Sequence, residues 1–473
     1  MRVFIYALLL LVSPAAVAGG QTQAAPSQAA PAPLTLRDAV IRALDNYPAV
    51  RAALANVQVS AAGVSQARTT YLPRADVLWQ MNRATRNSVT GLILPQSVIA
   101  GVAGGIGVNR NETAWSSATG ILLNWEAFDF GARGASVAAA ESTLQRSSAS
   151  ADLTRLQVAT AAAEGFLNVV AADQTVRAAT AAVERARVFY EVVVARVQAG
   201  LRPGVDAERS RAELALAETQ RIIAEQNARV ARVVLAQYTG LDAETISLSS
   251  GPLLDLPPGD AVAAAKPAAP YTPQNAAVHP IAAEQNAAVE ESLARLRAVE
   301  RSYVPRVNVL FNTYARGSGV LQNGQIEGGL RGLAPDVSNW AVGLNVLFPL
   351  MDRPVVGARL QAERQRQLVE TARYARVVED LEAQFGRSQA LLTGAERVSQ
   401  NTPFQLAAAR ATFQQATARY QSGLSGIVEV ADAQRLLTQA EIDDSLAKLN
   451  VWRGLLLVAT AQGSLDPFLQ RVP

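Results

Sequence analysis

The chain states one pattern twice, and this constrains its fold more than any other feature. Pro48 and the later Tyr71-Leu72-Pro73-Arg74 return as Pro280 and Tyr303-Val304-Pro305-Arg306. Further on, Ala195-Arg196-Val197-Gln198-Ala199-Gly200-Leu201 returns as Ala418-Arg419-Tyr420-Gln421-Ser422-Gly423-Leu424. The offset is 232 for the first blocks (280 − 48) and 223 for the last (423 − 200). The value 223 also relates Gly120 to Gly343, Asp129 to Asp352 and Gly240 to Gly463. The length difference, 232 − 223 = 9 residues, falls between roughly 83–116 in the first copy and 315–338 in the second. Solenoid units run about 20–50 residues, so the duplicated unit here is the size of a domain and predicts a pseudo-symmetric assembly.

Residues 1–18 have the form of a secretory signal: Arg2, an apolar run Val3–Val12, and Ala16-Val17-Ala18 as a small-residue cleavage site. A membrane anchor is the competing reading, but the run is short and Ser13-Pro14 breaks it. With no cysteine, the chain has no disulfide, no thiolate ligand and no lipid-bearing cysteine. The sequence pI is 9.3, yet the formal net charge is only +3 and the charges are interspersed. No basic stripe alternates with aromatics, so nucleic acid is not an expected partner. Beyond the signal, no apolar stretch reaches the roughly 18 residues of a spanning helix. If the chain crosses a membrane, it must do so as strands of a closed barrel.

Residues 19–33 form an Ala/Pro/Gln tether, and 252–279, with Pro257-Pro258-Gly259, form a linker between repeat one (34–251) and repeat two (280–465), leaving 466–473 as a tail. Each repeat predicts a helix, two extended segments joined by a loop, and a long helical hairpin, at 133–240 and 354–463. In the first hairpin, Val158, Ala162, Gly165, Val169, Ala172, Val176, Ala179, Val183, Ala186, Tyr190, Val193 and Val197 follow alternating 4,3 spacing. That is a heptad seam, and its alanines permit close backbone approach. Leu406, Ala409, Phe413, Ala416 and Tyr420 continue the seam in repeat two, where Pro403 predicts a kink absent from repeat one.

The extended segments, about 72–83, 117–128, 304–314 and 339–350, alternate with period two. One face carries Ala75, Val77, Trp79 and Met81; Ile121, Leu123 and Trp125; Val307, Val309 and Phe311; and Trp340, Val342, Leu344, Val346 and Phe348. A half-buried soluble sheet and an outer-membrane sheet share this period. Four of five tryptophans (Trp79, Trp115, Trp125, Trp340) lie in or beside these segments, which fits an interfacial girdle. Four strands cannot close a barrel, since about eight is the practical minimum, so the chain is expected to oligomerise.

Leu36-Arg37-Asp38-Ala39 with Asn46-Tyr47-Pro48, then Tyr71-Leu72-Pro73, Trp125-Glu126-Ala127-Phe128-Asp129-Phe130-Gly131, and the turns at 198–201 and 421–424 occur in an order that resembles the TolC-like outer-membrane efflux family. The resemblance spans nearly all of the chain after the signal. It implies an α+β membrane protein: a duplicated repeat with four transmembrane β-strands and very long antiparallel α-helical coiled coils. A homotrimer would form a barrel of about twelve strands in outer-membrane lipid above a periplasmic α-barrel. Its implied partners are a periplasmic adaptor (membrane fusion) protein and an inner-membrane transporter. The implied function is the channel-tunnel of a tripartite efflux system; the alternatives are type I protein secretion and a non-channel periplasmic scaffold.

The resemblance also implies site residues. Glu429 and Asp432, three apart and so on one helix face, would line the periplasmic aperture; a trimer would make a carboxylate ring that favours cations. Asp206 and Tyr420 match a closed-state hydrogen-bond network, but Ser425 stands where the family has arginine, so either the latch is weaker or another arginine such as Arg202 substitutes. Gly200-Leu201 and Gly423-Leu424 would be the adaptor-contact turns. No cofactor or metal is expected, and no enzyme: the lone His279 precedes Pro280, and Gly101–Gly107 opens no helix.

Overall fold

The computed structural model describes residues 33–85, 113–259, 276–319, 325–326 and 329–472. The signal, most of the tether, the glycine-rich run 101–107 and linker residues 260–275 lie outside the described residues. Repeat one contains α1 (Leu36–Asn46), α2 (Pro48–Thr69), β1 (Arg74–Thr85), β2 (Thr113–Phe128), α3 (Ala132–Gln198) and α4 (Gly204–Thr239). Repeat two contains α5 (Pro280–Glu300), β3 (Arg306–Ser318), β4 (Val337–Leu347), α6 (Arg353–Gln421) and α7 (Ile427–Ala461), and a short α8 (Asp466–Leu469) follows it.

The α3 helix has 67 residues and α6 has 69, each about 100 Å at 1.5 Å per residue. Much of the predicted seam is buried, at Val158, Ala162, Val169, Ala179, Val183, Ala186 and Val193, and off-seam residues such as Phe166, Leu167 and Val170 are buried beside it. Pro403 stands inside α6, whose helical assignment runs through it unbroken.

The four strands form one antiparallel sheet in the order β1-β2-β3-β4. Its register turns period two into two faces. Ala75, Leu123, Phe311 and Val342 form one cross-strand row, and Val77, Ile121, Thr313 and Trp340 the next. The opposite face has rows such as Asp76, Leu122, Asn312 and Ala341. The apolar face is uncovered: Val77, Trp79, Trp340 and Leu344 are all exposed. Among the described residues β1 pairs only with β2 and β4 only with β3, so both sheet edges present unpaired backbone groups. No described helix is long and apolar enough to cross a membrane.

The shared sequence blocks meet where β2 passes into α3. Asp129 accepts from the Gly131 amide at 3.2 Å, from the Arg133 amide in the first turn of α3, and from the Arg133 Nε at 3.1 Å, so its carboxylate caps the start of α3. Arg133 lies over the Tyr71 ring at 4.7 Å, and the Trp125 indole donates to the Tyr71 carbonyl at 3.0 Å. Phe130 and Gly131 turn the chain there with φ of 50° and 92°. Each repeat also closes on itself. Gly240 ends α4 against Asn46, and Gly463 follows α7 against His279 and Pro280. Leu34 bridges Leu248, with its amide donating to Ser247 at 2.8 Å.

The largest core lies between these closures. It joins α1, the middle of α3, α7 and the C-terminal segment around Trp452 and Phe166. The described part of the expected tail, residues 466–472, packs on this core: Phe468 lies edge-on to Trp452, and Val472 is buried. The start of the expected linker is likewise docked, since Leu253 is buried and Trp452 Nε1 donates to the Asp255 carbonyl at 2.9 Å.

Candidate functional site

The far ends of both hairpins form one compact tip, built first by two identical helix stops. At the end of α3, the Gly200 amide donates to Val197 and the Leu201 amide to Arg196, at 3.0 and 2.9 Å. At the end of α6, Gly423 donates to Tyr420 and Leu424 to Arg419, at 3.1 and 2.8 Å. This is the Schellman pattern, and φ of 72° at Gly200 and 81° at Gly423 is why glycine stands there. The residue after such a glycine often folds back on the last turn. Here Leu201 and Leu424 remain 71% and 73% exposed, so the two turns offer free apolar side chains.

The hairpins are held together beneath the turns by Val193, Ala416, Tyr420, Ile427, Val430 and Ala433, with Phe189 5.3 Å from the Tyr420 ring. Tyr420 is fully buried, and its hydroxyl donates to Asp206 Oδ2 at 3.4 Å, which is long for such a bond. Burial, and then the Asp206 charge, raise the Tyr420 pKa, so the phenol remains the donor. Arg202 lies 4.4 Å from the centroid of the same ring and donates to the carbonyls of Tyr420 at 2.8 Å and Ser425 at 3.2 Å. Arg196 donates to the Gln421 carbonyl at 2.7 Å. Two arginines of repeat one therefore satisfy carbonyls at the negative end of the long helix of repeat two.

The structure thus brings Asp206 and Tyr420 together, with Arg202 beside them. Ser425 is buried, and its hydroxyl has no partner among the described residues. The signal for Arg202 was present in the repeat: 202 + 223 = 425, so Arg202 occupies in repeat one the position of Ser425 in repeat two. Asp206 and Glu429 are related by the same offset (206 + 223 = 429).

Glu429 and Asp432 lie on the exposed stripe of α7, opposite the buried Val430, Ala433 and Leu437. Asp432 Oδ1 is 3.8 Å from Arg435, whose other guanidinium nitrogen lies 2.5 Å from Glu213 on α4. Arg185 of α3 donates to both carboxylate oxygens of Glu441, at 3.3 and 2.8 Å. Spacing within one helix could not indicate Glu213–Arg435 or Arg185–Glu441, because each pair joins different repeats.

The comparisons with known proteins accord with this geometry. The family model described as outer membrane efflux protein matches residues 39–241 and 276–463, one stretch in each repeat. The chain belongs to the outer membrane efflux protein family. It is an outer-membrane efflux channel with a helical periplasmic extension. Protein CyaE of Bordetella pertussis is 27% identical over 90% of this chain and 84% of its own length. The pyoverdine export outer membrane protein OpmQ of Pseudomonas aeruginosa is 23% identical over 88% and 82%. The Campylobacter jejuni CmeC outer membrane channel shares the fold with a TM-score of 0.73 at 15% identity, over 90% of this chain and 85% of that one. The open state of the Neisseria gonorrhoeae MtrE outer membrane channel has a TM-score of 0.66 at 18% identity, over 91% and 89%. The matching family and folds are those of channels rather than enzymes.

Proposed function

We propose that three copies of this chain close the sheet into a barrel of about twelve strands and form the exit duct of a tripartite efflux system. An inner-membrane transporter and a periplasmic adaptor would deliver substrate to its periplasmic end. The observation that carries this reading is the open sheet with an uncovered apolar face and two unpaired edges. Pairing of β1 with the β4 of a neighbour satisfies the edges, and lipid covers the face.

The tip is the gated end. Glu429 and Asp432 from three protomers form the aperture ring, and a ring of carboxylates favours cations. The Asp206–Tyr420–Arg202 contacts hold the two hairpins of one protomer together in the closed state. Leu201 and Leu424, free beside Gly200 and Gly423, are the apolar contacts for the adaptor. Efflux of small molecules is preferred to protein export because the family is one of efflux proteins.

Two measurements test the reading. Outer membranes are expected to yield trimers that dissociate on heating; a soluble periplasmic pool would overturn it. In planar bilayers, a Glu429→Ala/Asp432→Ala variant is expected to lose cation selectivity and block by divalent cations. Unchanged conductance, selectivity and block would remove the ring.

A further inference from the structure

The aperture carboxylates are not alone on their helix. At about 100° per residue, Asp432 sits near the middle of the exposed stripe of α7, Glu429 on one flank and Arg435 on the other. Arg435 is the cation nearest the pair, and it is shared. One guanidinium nitrogen lies 2.5 Å from Glu213 Oε1 on α4, and the other lies 3.8 Å from Asp432 Oδ1. The Glu213 carboxylate is only 20% exposed while the Asp432 side chain is 67% exposed, so the tighter partner is also the more shielded one. Glu213 and Arg435 stand together at a cleft of about 300 Å³ between α3, α4 and α7, lined in part by Gln434 and Thr438. Gln434 anchors α7 there by donating to the Ala182 carbonyl at 3.1 Å. Among the described residues, Glu429 has no ion-pair partner.

We propose that Arg435 is a specificity-determining residue that sets the net charge of the aperture, with Glu213 as the residue that positions it. This rests on the reading that Glu429 and Asp432 line the aperture. While Glu213 holds Arg435 on the α4 flank, the guanidinium offsets Asp432 only from the side. Glu429 then keeps its full charge, and the aperture stays cation-selective. If Glu213 lets go, Arg435 is free to swing onto Asp432 and cancel one carboxylate per protomer. Because the Glu213–Arg435 bridge joins the two hairpins, any opening that moves α7 away from α4 breaks it and changes selectivity at the same moment.

The proposal predicts opposite signs for its two variants. A unit charge about 7 Å away through water weighs on the order of RT, about a threefold change in ion partitioning. Arg435→Gln is therefore expected to raise the cation-to-anion permeability ratio about ninefold, since cation entry rises about threefold while anion entry falls about threefold, and Glu213→Gln to lower it. Arg435→Lys, which retains the charge, is expected to stay near wild type; a purely structural role would not spare it. The full-length trimer is reconstituted in planar bilayers, and reversal potentials are measured under a potassium chloride gradient, with heat-dissociable trimers confirming assembly. Should Arg435→Gln fail to assemble, Glu213→Gln alone still decides, since the proposal requires a fall. If Glu429→Ala/Asp432→Ala leaves the reversal potential at the wild-type value, the aperture reading itself fails. If that double variant shifts it while Glu213→Gln does not lower it, or Arg435→Gln assembles and does not raise it, Arg435 is no charge compensator and the aperture reading stands.

Discussion

The Arg202 guanidinium lies 4.4 Å from the centroid of the Tyr420 ring, on the opposite repeat of the same protomer. It also donates to the Tyr420 carbonyl at 2.8 Å, so one side chain grips both the ring and the end of its helix. A cation over an aromatic ring contributes about 0.5–2 kcal/mol. If the contact exists only in the closed tip, Arg202→Gln shifts the gate toward open about fivefold, the equivalent of about 1 kcal/mol. Tyr420→Phe loses only a 3.4 Å hydrogen bond and has the smaller effect. Open probability in planar bilayers measures both. An Arg202→Gln channel as tightly closed as wild type would remove Arg202 from the gate.

His279 holds the start of α5. Its Nδ1 accepts from the Ile281 amide at 3.2 Å, and Nε2 faces the Thr460 carbonyl at 3.1 Å. The acceptor role of Nδ1 requires the neutral ring, with Nε2 as donor. Burial lowers the pKa from its ordinary 6.5, against an opposing effect of the Thr460 carbonyl. A folded value below the unfolded one means that the contribution is complete above about pH 6.5 and is lost as pH falls through the folded value. Thermal stability is therefore expected to decline on acidification from pH 6.5, and His279→Asn to reduce that slope while retaining a capping acceptor.

Glu291 of α5 has a nearly buried side chain. It accepts from the Thr143 hydroxyl at 2.7 Å and from Arg146 at 3.1 Å, and it pairs with Arg295. Burial alone raises its pKa, but the bonds from Thr143 and Arg146 and the arginine charges outweigh it, and the net direction is down. Its contribution is thus present above the ordinary value of 4.5 and lost as pH falls through the lower folded one. Glu291→Ala leaves Arg146 and Arg295 partly open to water, so the cost is about 1–3 kcal/mol. It is expected as a lower dissociation temperature for the trimer at pH 7, with the difference from wild type shrinking in acid.

Gly240 and Gly463 are equivalent in sequence but not in their surroundings. Both have positive φ, 71° and 85°. A Cβ on Gly240 meets nothing closer than Asn46 at 3.8 Å, whereas on Gly463 it lies 2.9 Å from both His279 Cδ2 and Pro280 Cδ. Gly240→Ala is expected to cost about 1 kcal/mol, from backbone conformation alone. Gly463→Ala adds displacement of the His279–Pro280 corner and costs about 2–4 kcal/mol. Thermal melts of the two variants measure the difference, and equal costs would contradict the close approach.

Legibility from sequence followed the range of the interaction. The heptad seam of α3 and the alternating strands were readable because each periodicity is local, and the register then placed their apolar residues on one face, in rows such as Ala75–Leu123–Phe311–Val342. The helix stops at Gly200 and Gly423 were readable for the same reason. The C-terminal segment was not. Phe468 looks like part of a short C-terminal tail until Trp452 is placed beside it. The Asp206–Tyr420 meeting was expected only by resemblance to a family, because 214 residues separate the pair.

By itself the sequence determined a duplicated unit, its two long hairpins and a sheet with one apolar face, because helix and strand periods are set by neighbours a few residues apart. Only the tertiary structure decided which charges meet. Arg202 reaches Tyr420 and Ser425, Arg435 reaches Glu213, and Arg185 reaches Glu441, each across the two repeats. Those partners depend on how one hairpin is rotated and shifted against the other. That placement is fixed by packing at Val193, Ala416, Tyr420 and Val430, and no spacing along a single helix encodes it.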